Sequence, residues 1–141
     1  MSFRYHRAIP VISLFHNSSP QSAQCLKLLR SALSGPYPPP DPKMPTIKPG
    51  NPLNFTLNEV KDQPPTPDQI RIILSYLKAP LATLVSSHPS VTFRPDSAES
   101  LYNESLQNPK VFRYPVACNW DDGKVALESS GIKRMLDNLA K

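Results

Sequence analysis

The apolar run Val11-Ile-Ser-Leu-Phe15 has the length and β-branched character of a buried strand. Polar His16-Asn17-Ser18-Ser19-Pro20 follows it directly. Ser19 can cap a helix with Pro20 at its first position, where a missing N–H leaves no bond unmade. Beyond it Cys25, Leu26, Leu29, Ala32 and Leu33 fall on one helical face, and Gly35-Pro36 ends the pattern. Leu53-Asn-Phe-Thr-Leu57 alternates apolar with polar residues, as a half-exposed strand does. Thr66-Pro67-Asp68-Gln69 then forms a capping box with proline at the first helical position. Ile70, Ile73, Leu74 and Leu77 follow at helical spacing, the clearest amphipathic signature in the chain.

Pro80 interrupts that helix, and residues 81–87 read as a short further one. Asp96 with Glu99 three residues on opens another, ending near Gln107. Residues 116–120 and 124–127 flank Asp121-Asp122-Gly123, a hairpin signal because glycine supplies the positive φ of such turns. Ser129 or Ser130 can cap a final helix that presents Ile132, Met135, Leu136 and Leu139 on one face. The order is β-α-β-α-(α)-α-β-β-α. It predicts one α/β domain over residues 1–141, with a mixed four-stranded sheet and flanking helices.

Proline interrupts this order once, between the first helix and the second strand. Residues 36–52 hold eight prolines in seventeen positions, so the stretch is an extended surface insertion and neither helix nor central strand. Pro36-Tyr-Pro-Pro-Pro40 also has the form of a ligand for a proline-reading domain, which makes the insertion a candidate site for a protein partner.

Composition narrows the function classes. A chain of 141 residues can bury a real core. No run approaches the roughly 18 apolar residues of a membrane span, so a soluble chain is expected. The formal charge is +5, but the basic residues are scattered and form no patch interleaved with aromatics, which argues against nucleic acid. No acidic residue precedes Asp41, and Met-Ser-Phe-Arg-Tyr-His-Arg has the arginine-bearing, acid-free character of a mitochondrial transit segment. A frayed basic terminus is the other reading. No metal, flavin or nucleotide motif is present, and no cofactor is expected. Cys25 and Cys118 are too few and too far apart for a disulfide scaffold or a zinc site.

The element order and a few local strings resemble the thioredoxin superfamily, and within it the arsenate-reductase-like branch. The strings are Leu14-Phe15-His16-Asn17, the helix start at Pro64-Pro65-Thr66, and Phe112-Arg113-Tyr114-Pro115-Val116. A closer resemblance is to a family of fungal mitochondrial redox proteins. Its Ile-Ser-Leu-Phe strand, Cys-Leu-x-Leu-Leu helix, Asn-Pro-Lys string and Trp-acidic hairpin correspond here to residues 12–15, 25–29, 108–110 and 120–123.

These resemblances imply a thioredoxin-like fold, a substrate groove bordered by a cis proline at Pro115, and thiol-dependent reduction of small molecules or oxidised thiols in the mitochondrial matrix; a monomer is expected. Glutathione is then a candidate substrate and not a cofactor. The thiol itself is misplaced. Where the arsenate reductases carry their nucleophilic cysteine this chain has Pro20, after Ser18 and Ser19. The region before Asn-Pro-Lys, credited with a redox cysteine in the fungal family, reads Asp96-Ser-Ala-Glu-Ser-Leu-Tyr102. Cys118 and Cys25 are left as catalytic candidates, each with a core-filling alternative. His16, Asn17, Ser18, Ser19, Tyr114 and Pro115 are the expected groove residues, with His16 and Asn17 candidates for an anion site at a helix start. Arg113 stands one place before the arginine of the reductases, so its oxyanion role is not carried over. The alternative is a redox-inactive binding module of the same fold.

Overall fold

The computed structural model describes residues 9–35, 37, 53–87 and 90–139. The basic N-terminal segment and the proline-rich insertion, Tyr37 apart, lie outside the described residues. Tyr37 donates its hydroxyl to the Asp137 carboxylate.

The apolar run at the start becomes the central strand. Strand β1 (Val11–His16) lies parallel to β2 (Thr56–Lys61) and antiparallel to β3 (Val116–Asn119), which pairs antiparallel with β4 (Lys124–Ala126). The sheet order is β2-β1-β3-β4. Side chains alternate between its faces. Ile12, Leu14 and Ala117 pack with Cys25 and Leu29 of α1 (Pro20–Ser34) and with Ile132 and Leu136 of α4 (Ser129–Leu139). Phe15, Val116 and Cys118 pack with Ile70 and Ile73 of α2 (Pro67–Leu77) and with Leu101 of α3 (Ala98–Gln107). A strand covered on both faces needs a nearly continuous apolar run, which is what residues 11–15 supply. The expected mixed α/β fold and element order are therefore observed, and they are compatible with a thioredoxin-like layout. Among the described residues no helix is long and apolar enough to cross a membrane.

Boundaries moved where side-chain patterns and backbone pairing diverge. The second strand was expected at 53–57 and forms at Thr56–Lys61. Leu53 and Phe55 do face the core, but they pack on the α1–α4 cluster before the ladder begins. The Leu53 N–H goes to the Ala32 carbonyl, and the Thr56 N–H to that of Pro10. An edge strand with mostly exposed residues carries little apolar signal of its own. Helix α3 is capped by Ser97, not Asp96, through a reciprocal box in which Ser97 and Ser100 each accept the other's N–H. Residues 81–87 form only a 3-10 turn at Leu81–Leu84, after which Val85 bridges Phe112. Helix α4 already includes Ser129 and Ser130, and Glu128 accepts the Ile132 N–H from the position before it.

The hairpin turn matches its signal. Gly123 has φ of +65°, and an added Cβ would sit 3.4 Å from the Tyr76 ring. Gly123→Ala is expected to cost about 1 kcal/mol of stability, from the left-handed backbone more than from contact. Urea unfolding of the two proteins measures it; an unchanged midpoint would mean that the turn relaxes freely.

Candidate functional site

The pairing directions bring three chain segments to one end of the sheet. Strand β1 finishes there and leads into α1. The antiparallel β3 begins there, with Val116 opposite Phe15, and the next antiparallel strand, β4, ends there and leads into α4. The N-termini of α1 and α4 and the approach to β3 must therefore converge. They enclose a groove of about 640 Å³. A cavity of that size suits a small-molecule ligand.

Local hydrogen bonds fix the α1 wall. The Asn17 carbonyl oxygen Oδ1 accepts the Ser19 N–H at 3.1 Å and the Ser22 hydroxyl at 2.8 Å. The Ser22 N–H in turn reaches the Ser19 hydroxyl at 3.3 Å, the cap expected from Ser19-Pro20. Ser22 is fully buried, so this network holds the helix start rigidly against the sheet. Asn17, Ser19, Gln21 and Gln24 line the groove on this side.

The opposite wall is the segment entering β3, with Lys110, Phe112, Arg113, Tyr114 and Pro115. The Tyr114–Pro115 peptide bond is cis, the form implied by the resemblance. Tyr114 packs edge-on against Phe112, with ring centroids 4.9 Å apart. Burial, and after it the charge of Asp62, pushes the Tyr114 phenol up to about 12. Leu127, Glu128 and Ser129 close the groove at the start of α4.

Of the expected groove residues, Asn17, Ser19, Tyr114 and Pro115 come together. His16 does not line the groove. It is buried at the end of β1, and among the described residues its Nε2 has no hydrogen-bond partner. Ser18 is exposed on the connecting loop and does not line the groove.

Neither candidate thiol lines the groove. Cys25 and Cys118 are both free and both fully buried, in the clusters on opposite faces of the sheet. The sheet between them precludes a disulfide in this fold. Burial, helped by the Glu128 charge, pushes the Cys25 thiol up to about 11. Burial alone pushes Cys118 up to about 12. A reactive cysteine needs the reverse, a stabilised thiolate near solvent.

Sequence reasoning missed Gln21, Gln24, Lys110, Glu128 and Ser129 as wall residues. Lys110 was noted only as part of a family string. The signal that could have found them is the strand order, since it sets which helix starts share a sheet end. Among the described residues no group of three or more His, Cys, Asp or Glu side chains could hold a metal. Among the described residues the groove therefore offers hydrogen-bond donors, amides, hydroxyls and three charged groups, and no sulfur.

No curated protein and no solved structure matches the chain. Residues 3–128 match the model of DUF1687, described as a protein of unknown function, and the chain belongs to that family.

Proposed function

We propose that this protein is a thioredoxin-like binding module whose groove holds a ligand without thiol chemistry. One observation carries the reading: neither cysteine lines the groove at the convergence of α1, α4 and the β3 entry, and both fill cores with raised pKa values. A redox reading would require one of them to reach the groove as thiolate. Cys25 follows the wall residue Gln24 in α1, and the Glu128 charge that bears on it opposes ionisation. Ser19 offers no substitute, because it is engaged as a helix cap and none of the described wall residues is a histidine that could activate it.

The test compares the native protein with a Cys25→Ala/Cys118→Ala variant in two assays. Disulfide reduction with glutathione or a dithiol as donor is expected to stay at background for both. A fragment screen read by amide chemical shifts is expected to move Ser19, Gln21, Gln24 and Ser129 equally in both. Reductase activity that disappears with either cysteine would overturn the proposal. The mitochondrial location implied by the N-terminal residues is part of the same proposal, and import of the full chain into isolated mitochondria checks it. A chain left wholly outside would count against it.

A further inference from the structure

The groove's charges point to the class of its ligand, an inference that rests on the binding-module reading. Two helices of full length, α1 and α4, start at the groove, so their positive dipole ends converge there. In α1, where Pro20 has no N–H and Ser19 caps that of Ser22, the Gln21 N–H is the first-turn donor left for a ligand. The first turn of α1 carries no acidic residue. Lys110 and Arg113 stand on the facing wall, and among the described residues neither forms an ion pair. Tyr114 on that wall is only 9% exposed, and among the described residues its hydroxyl has no hydrogen-bond partner. A buried polar group on a cavity wall is ordinarily satisfied by water or a ligand. Among the described residues Glu128 is the one acidic residue on the lining, and it is exposed.

We infer that the groove binds a small anion carrying a carboxylate or phosphate group, held by the α1 N-terminus with Lys110 and Arg113. Surface charge alone would not suffice. Here, among the described residues, two cations without carboxylate partners and two helix starts share one cavity, opposed by Glu128 on the lining and by the Asp62 charge that bears on Tyr114. The arrangement predicts opposite signs for substitutions on the two sides of the groove. Removing a cation weakens anion binding, and removing the Glu128 charge strengthens it.

The experiment titrates the full chain with inorganic phosphate, with succinate, and with neutral fragments, at constant ionic strength set with chloride, following amide chemical shifts. Phosphate or succinate is expected to shift Ser19, Gln21 and Ser129 saturably. Whichever of the two binds more tightly identifies the headgroup. Lys110→Gln and Arg113→Gln are each expected to weaken binding about fivefold, as loss of a charge-assisted contact does. Glu128→Gln is expected to tighten it about threefold, by relief of like-charge repulsion. Lys124→Gln, on β4 and outside the groove, is expected to change nothing. All four side chains are exposed, and an unchanged amide spectrum of each free variant confirms its fold. Equal affinities across the set, or weaker binding by Glu128→Gln, would overturn the inference. Neutral fragments moving the groove amides while both anions leave them still would overturn the anion assignment alone. Silence of those amides toward every class would remove the binding-module reading as well.

Discussion

Leu14→Ala is expected to lower the unfolding free energy by about 3 kcal/mol, the range for emptying a fully buried leucine site. Leu14 has no exposed surface and lies on β1, the strand with neighbours on both sides. It packs in the cluster that joins α1 to α4 through Leu29, Ile132 and Leu136. The cavity would be lined by two helices and the sheet, which cannot collapse into it together. Leu57→Ala on the edge strand β2 removes the same atoms from a partly exposed site and is expected to cost less than half as much. Urea denaturation of both variants measures the difference. Equal losses would contradict the placement of β1 at the centre of the fold.

Alkaline pH is expected to destabilise the protein through its two thiols. Both folded-state pKa values lie above the ordinary value of 9.0, at about 11 for Cys25 and about 12 for Cys118. The folded state therefore keeps its thiol protons when the unfolded chain loses them. The resulting stability is fully present below pH 9 and is lost as pH rises through the folded values. Between pH 9 and 10 the two thiols together should remove about 2 kcal/mol, given about 1.4 kcal/mol per pH unit for each group once the unfolded thiol is ionised. Tyr114, raised from 10.0 to about 12, adds the same dependence only above pH 10. A Cys25→Ala/Cys118→Ala variant should start less stable, because it loses buried sulfur, and should show a flat profile from pH 8 to 10. A native profile as flat as the variant's would mean that the thiols ionise as readily folded as unfolded, and hence that they are accessible.

Sequence patterns made the elements legible where local chemistry and burial agree. Thr66-Pro67-Asp68-Gln69 both caps α2 and precedes its apolar face, so the signal and the structure coincide. Residues 11–15 announce a central strand because both of their faces are covered. β2 was displaced because its register depends on backbone pairing with β1, while Leu53 and Phe55 advertise core contacts made outside the ladder. Ser97 replaced Asp96 as a cap because a serine at the third position completed the reciprocal pair.

The site was legible in part for the same reason. Asn17, Ser19, Tyr114 and Pro115 stand next to recognisable element starts. Lys110 and Glu128 join them only through the order of the strands, which no local pattern encodes. His16 shows the converse. Its place beside the helix start is plain, but as a strand residue it turns into the protein, and its Nε2 is buried.

The proposed binding module requires a groove that works without sulfur. Intact-protein mass spectrometry after incubating the folded chain with excess oxidised glutathione at pH 8 tests it most directly. With both thiols buried and their pKa values raised two units or more, reaction through thiolate should be slowed at least about a hundredfold relative to an unfolded control. An unmodified native mass is expected under conditions that fully modify the urea-unfolded chain. A mixed disulfide on Cys25 or Cys118 of the folded protein, formed at a rate near that of the unfolded control, would contradict it.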